Sequence, residues 1–444
     1  MSRFAIAFFL VLSTACVAQS TQPATAPANL PQLLKDLGAD DPSTRDAAST
    51  QIAALGPSTL PELRKAIDAA TDPEVRSSLQ LLITDLERQD PTLPTLVSLH
   101  TKGGSPRTAV ESLAKQAGVR IGIWPDWVWK NMKKTVTIDA EKQPFWVVMS
   151  DVCSQSGLHT QYIGGRDRNE ITLASANNDD PATPPQRYRD GFLFVLRNAQ
   201  RMHQIDYAAT KGQSNTFVLM LQVLVDPKIP VLRGPYQLNV TEAVDDKGNS
   251  LLTGQAFDRE NNVRASPWGT TWQWDLNTSL KDVPAPGTKL KTLKAVASFV
   301  VASGLDVWEV DANAAGPSSH AIPGGKYTVE SLTKQGDQYA LKIAVDFKTK
   351  MFGRRPPDEA IYTDYNSLQS MIKLVDADGK AYQMNGGGGG GGMGHSTYEF
   401  NFTARETGEE GAAKPGPATK LVWTIPKGTK NVDVPVEFND LPIP

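Results

Sequence analysis

Two short passages in the C-terminal half of the chain are written twice at the same spacing. Asp245-Asp246-Lys247-Gly248 recurs as Asp376-Ala377-Asp378-Gly379, and Pro286-Gly287-Thr288-Lys289-Leu290 recurs as Pro417-Ala418-Thr419-Lys420-Leu421. The step from Asp245 to Asp376 equals the step from Pro286 to Pro417. Chance rarely keeps a turn and a strand start in step, so the spacing predicts a duplicated unit. The shared D-x-x-G reads as a hairpin turn, with Asp capping it and Gly taking positive φ. Apolar or alternating runs at 192–196, 217–225, 237–240, 339–347 and 432–438, separated by turn residues, read as antiparallel strands. Two duplicated β-sandwiches are therefore expected, over 186–313 and 324–444. Seven consecutive glycines, Gly386 to Gly392, precede Met393-Gly394-His395. Glycine loses most freedom on ordering, so 386–394 is read as a disordered hairpin-tip insertion. A phosphate cradle would need a helix opening on Lys-Ser or Lys-Thr, and none follows.

A length of 444 residues accommodates three or four domains. A net charge of −3 with no Lys/Arg stripe argues against nucleic-acid binding and against a polybasic membrane patch. At the N-terminus, Arg3 is followed by an apolar run (4–12) and a small-residue end (13–18). This pattern predicts a secretory signal over 1–18, cleaved after Ala18, and places the protein in the periplasm or on the surface of a bacterial envelope. The rival maturation lipidates Cys16 in Ser13-Thr14-Ala15-Cys16, which would give a lipid anchor. The nine-residue apolar run is too short to span a bilayer, and no later run reaches about 18 residues, so no transmembrane span is expected. Cys16 and Cys153 are the only cysteines. Neither maturation leaves an intrachain disulfide, so stability must come from packing.

Residues 19–30 read as a flexible spacer. Over 31–89, Asp41-Pro42-Ser43-Thr44-Arg45 and Asp72-Pro73-Glu74-Val75-Arg76 share D-P-x-x-R, with Asp suited to an N-cap and Pro to the first helical position. This stretch resembles HEAT-type helical repeats, which implies a protein-binding surface. Over 93–175, Leu113-Ala114-Lys115-Gln116-Ala117-Gly118-Val119 is echoed by Val152-Cys153-Ser154-Gln155-Ser156-Gly157-Leu158. Each echo reads as a helix ended by Gly before a strand, in the order β-α-β-β-α-β. With Val136-Thr137-Ile138, these residues resemble the short N-terminal domain of secretins and TonB-dependent receptors. That resemblance implies a periplasmic interaction module without catalytic residues. Residues 176–185 read as a linker. The half that follows, with Asp226-Pro227-Lys228 and its closing strand, resembles β-sandwich regions of uncharacterised exported bacterial proteins. The expected fold class is thus multidomain α + β: a short helical-repeat segment, a small βαββαβ domain, then two antiparallel β-sandwiches.

Chemistry-bearing residues are sparse. His100, His159, His203, His320 and His395 lack ligand spacing, so neither a metal nor another cofactor is expected. Asp376, Asp378 and Gly379 look like the start of a calcium loop, but position 387 is Gly where the pattern needs Glu, so they read as a turn. No G-x-S-x-G occurs, and Cys153 falls at a small helical position, as a buried inert thiol would. Tryptophan carries the functional signal. Trp124, Trp127 and Trp129 fall between two strands, and Trp268, Trp272 and Trp274 form a second group, with Trp272 and Trp274 expected on one strand face. Such rings either fill cores or contact an envelope protein or a cell-surface glycan. The expectation is a non-catalytic exported interaction or structural protein. The alternatives are a carbohydrate-binding module and an envelope hydrolase with an unrecognised carboxylate pair.

Overall fold

The structure, a computed structural model, describes residues 29–443 apart from 57–58, 90–93, 126, 162–169, 176–183, 206, 208–212, 255–256, 266–271, 284–285, 315, 348–356, 393 and 405–413. The signal segment, Cys16, most of the spacer and linker, and Trp268 lie outside the described residues. The fold is multidomain α + β and mostly strand. The chain divides into two compact units, Met1–Asp90 and Pro91–Pro444.

The first unit is helical: α1 (Leu30–Asp36), α2 (Pro42–Leu55), α3 (Leu60–Ala69) and α4 (Pro73–Gln89). The D-P motifs open α2 and α4 for the reason their chemistry gives. Asp41 accepts hydrogen bonds from Ser43 Oγ, Thr44 N and Thr44 Oγ1, which hold its carboxyl down at about 2. Asp72 accepts from Glu74 N at 2.7 Å. Leu33, Ile52, Leu63, Leu79 and Leu86 make the interior of this unit.

The second unit begins with β1 (Leu96–Gly104), α5 (Pro106–Ala117), β2 (Ile121–Trp124), α6 (Trp127–Asn131), β3 (Val136–Pro144), α7 (Phe145–Ser156), β4 (Leu158–Thr160) and β5 (Ile171–Ser175). Gly118 and Gly157 end α5 and α7 in the left-handed conformation, φ 66° and 73°. β1 pairs antiparallel with β3, while β5 lies between β2 (parallel) and β4 (antiparallel). One more helix, α6, and one more strand are present than the expected β-α-β-β-α-β order.

The β-rich remainder comprises β6 (Gln186–Arg189), β7 (Phe192–Ile205), β8 (Gln213–Val225), β9 (Val231–Pro235), β10 (Asn239–Asp245), α8 (Arg259–Asn262), β11 (Val263–Arg264), β12 (Gln273–Lys281), β13 (Lys289–Asp311), β14 (Ser318–Ile322), β15 (Gly325–Gln335), β16 (Gln338–Phe347), α9 (Pro357–Thr363), α10 (Tyr365–Met371), β17 (Ile372–Asp376), β18 (Gln383–Gly392), β19 (His395–Thr403) and β20 (Ala418–Pro442). Three sheets result, ordered β12-β8-β7-β6, β14-β15-β16-β19-β18 and β11-β9-β13-β20-β17, with β10 also on β13.

The expected boundaries at 186–313 and 324–444 do not divide the cores. β13 and β20 are long enough to serve both sandwiches, pairing antiparallel from Lys289↔Pro442 to Asp311↔Lys420. The last stretch of the chain returns to the first core, where Val434, Val436, Phe438 and Leu441 join Phe192, Phe194, Phe217 and Phe299. The start of β20 supplies Leu421, Trp423 and Ile425 to the second core, beside Val310 from the end of β13. Phe299 and Val301 point into the first core, whereas Val300 between them packs against the second. Successive side chains on a strand leave opposite faces, so one ladder serves two interiors.

The middle domain is not separated from the first sandwich either. Leu193, Val195 and Leu224, on the faces of β7 and β8 opposite Phe192 and Phe194, share a core with Phe145, Trp146 and Met149 of α7. The 192–196 run is apolar at every position because its sheet is covered on both sides. Trp146 Nε1 donates to Val225 O at 2.8 Å. Buried Asp226 accepts from Thr95 N and Thr95 Oγ1, each at 2.7 Å, and from Lys228 N. Burial pushes its carboxyl upward against these bonds.

The two Asp turns share their backbone hydrogen bonds to Oδ1. Asp245 Oδ1 accepts from Lys247 N and Asn249 N, and Asp376 Oδ1 from Asp378 N and Lys380 N. Bridges Val244↔Ser250 and Val375↔Ala381 close them. Burial would raise the Asp245 carboxyl, but the bonds from Asn249, Gly287 and Lys247 outweigh it and bring it to about 2. These acids are turn hubs, as their spacing predicts.

The polyglycine segment departs from its expectation of disorder. Gly386–Gly392 belong to β18, an edge strand paired with β19 from Gln383↔Thr403 to Gly392↔His395. A Cβ at Gly389 would strike the Tyr398 ring, and one at Gly387 would strike Glu399 O and the Tyr365 hydroxyl. Close cover by neighbouring aromatic rings, invisible to an entropy argument on the segment alone, favours glycine in this strand.

Candidate interaction surface

The two tryptophan groups have opposite fates. Trp272 and Trp274 are buried, 4% and 2% exposed, so they offer no aromatic row to a ligand. They also enter different interiors. Trp272 precedes β12 and stacks on Trp146 at 6.3 Å between ring centroids, whereas Trp274 meets Phe299 edge-on at 6.4 Å. The expectation that both rings share one strand face is therefore corrected: both fill cores, and those cores lie on the two sides of one sheet.

Trp124 and Trp127 are 47% and 59% exposed. Their neighbours explain how rings of this size are held outward. Ile123 points into the core, so strand alternation turns Trp124 to the surface. Val128 is buried and anchors α6, its N–H donating to Pro125 O at 3.0 Å. Asn131 Nδ2 donates to Trp127 O at 3.0 Å. Trp129 is half-buried and packs against the middle-domain core. Of the three rings expected in this loop, two are therefore presented and one is a support. Lys130, Lys133 and Lys134 follow directly and are exposed.

Several ionisable groups elsewhere are engaged in structure. Arg197 Nη2 donates to Thr160 O at 3.2 Å and to Gln222 Oε1, joining β4 to β7 and β8. Burial lowers its affinity for its proton, and burial with the Arg197 charge also lowers His159. Burial pushes the Cys153 thiol up to about 12, which suits an inert side chain. His100 is exposed between Asp139 at 2.6 Å and Glu141 at 3.1 Å, hydrogen bonds that raise it. Among the described residues no group of three or more His, Cys, Asp or Glu is placed to hold a metal ion. Asp311 and Glu330 line a hollow of about 190 Å³, below the roughly 300–1,000 Å³ of ordinary ligand sites. Glu330 is occupied there by Lys342 at 3.0 Å. No helix among the described residues is long and apolar enough to cross a membrane.

No family model matches the chain, and no curated protein matches it. A solved structure described as the conserved domain protein from Bacillus anthracis matches over 58% of this chain and 89% of its own length, at 11% identity and a TM-score of 0.14. A likeness of that size carries no argument about fold or activity.

Proposed function

We propose that this chain is an exported, non-catalytic interaction protein of the bacterial envelope that meets a partner protein through Trp124 and Trp127. The observation that carries the reading is the pair of large rings held outward by buried neighbours. Tryptophan is enriched among the residues that dominate binding energy, and rigid support lowers the ordering cost of contact. Exposed Lys133 and Lys134 favour an acidic rim on the partner. Export rests on the N-terminal signal pattern. The repeated turns, at a constant spacing, support reading the sandwich half as a duplicated scaffold behind this surface.

Envelope extract passed over the immobilised protein tests the reading. The wild type should retain a defined protein, and Trp124→Ala/Trp127→Ala should lose it with an unchanged unfolding curve. At about 2 kcal/mol per hot-spot ring, each single change should weaken binding roughly 30-fold. Capture that ignores both rings would contradict the assignment. Loss of glycan-array binding in the double variant, without any protein capture, would favour the carbohydrate alternative instead.

A further inference from the structure

The polyglycine strand closes the five-stranded sheet, and among the described residues nothing pairs with its outer side. Gly387 to Gly391 are exposed. Natural edge strands are usually guarded by lysine, proline, a bulge or extreme shortness, because unpaired N–H and C=O groups recruit other strands. β18 runs from Gln383 to Gly392 without a charge or a proline, and its one register shift, between Met384 and Gly386, leaves the ladder regular from Gly386 to Gly392.

Internal packing explains only part of the glycine run. Gly387, Gly389 and Gly391 face atoms of β19 or Tyr365 that a Cβ would strike, whereas one at Gly388 or Gly390 would meet nothing within 4 Å. Those two positions have room for the charged guard that edges ordinarily carry, and they lack it. Glycine also loses more backbone freedom on ordering than any other residue. With few side chains of its own to bury, the strand is held by a single ladder, and a second ladder on its free side would supply what is missing.

We propose that β18 pairs antiparallel with β18 of a second copy of this chain, joining two five-stranded sheets about a two-fold axis. This inference stands independently of the tryptophan surface. Strand addition that selects a foreign peptide relies on pockets for alternate side chains, and a glycine edge has none. A second copy presents the same uncharged edge, self-complementary as an isologous contact requires and free of like-charge opposition. The chain already uses such a join internally. In the β13–β20 ladder, Leu290 pairs with Leu441 and Val310 with Leu421. Leu290 and Leu421 are equivalent positions of the repeated motif, and Val310 and Leu441 stand at that same offset from each other. The strands that follow the two copies of the motif thus meet each other edge to edge.

The test uses the full mature chain and two double variants, Gly388→Lys/Gly390→Lys and Gly388→Glu/Gly390→Glu. Sedimentation should show a wild-type dimer. Like charges facing across the join should raise its dissociation constant roughly tenfold or more in each variant, with unchanged circular dichroism and unfolding midpoint. Mixing the Lys and Glu variants in equal amounts should restore the dimer as a mixed species. A wild type that stays monomeric up to its solubility limit overturns the proposal. So does a dimer insensitive to both variants, or loss of the dimer without rescue on mixing.

Discussion

Deleting residues 429–444 should unfold the first sandwich, although those residues follow the second copy of the repeated motif. The segment places Val434, Val436, Phe438 and Leu441 in the first core, each no more than 5% exposed, and supplies the ladder partner of β13 from Lys289 to Ala302. At about 1.5–3 kcal/mol per buried large side chain, the loss is roughly 6–12 kcal/mol. A domain's whole stability is about 5–15 kcal/mol. Limited proteolysis should then cut β7 and β8, far from the deletion in sequence, and near-ultraviolet dichroism from Trp274 should collapse. If each half held its own core, the damage would stay within 324–428 and Trp274 would keep its signal.

Trp423→Ala should be among the costliest single substitutions in the chain. Trp423 is fully buried, stacked on Tyr327 at 4.1 Å and on Trp308 at 5.6 Å, and Trp308 in turn stacks on His320 at 5.2 Å. Truncating a buried Trp costs about 3–5 kcal/mol. In a cooperative unit of about 150–250 residues, each kcal/mol shifts the midpoint by about 2–4 °C, so the melting temperature should fall by roughly 6–20 °C. Trp423→Phe should cost much less, because the buried indole Nε1 makes no hydrogen bond that the change would remove. Calorimetry on the two variants checks both the size and the order. Equal, small effects would mean that the ring stack does not bear on the second core.

Local chemistry was the legible part of this sequence. The D-P motifs start helices, Gly118 and Gly157 end them, and the D-x-x-G acids hold hairpin turns, because each depends on bonds within a few residues. The β-rich class was also readable from alternation and turns. What escaped depends on distant partners. The constant spacing of the repeat marks Leu290 and Leu421 as equivalent strand starts, but it is silent on where each strand ends. Only the ladder shows β20 crossing back to the first core. The two-residue spacing of Trp272 and Trp274 suggested one strand face, but Trp272 lies just before β12 and its ring enters the core on the other side of the sheet. Polyglycine read as disorder because the Tyr398 ring that covers it lies beyond the run, on the neighbouring strand. For the candidate surface, the Trp124–Trp129 cluster was visible, while its division into two displayed rings and one support followed only from the placement of Ile123 and Val128.

The shared ladder joins the two sandwich cores, and hydrogen exchange followed by mass spectrometry tests it most directly. Peptides covering 289–302, 303–311, 418–428 and 429–442 should lose protection together, with one opening free energy under mildly destabilising conditions. Two separate openings, one shared by 289–302 and 429–442 and the other by 303–311 and 418–428, would show that the sandwiches are joined in sequence but not in stability.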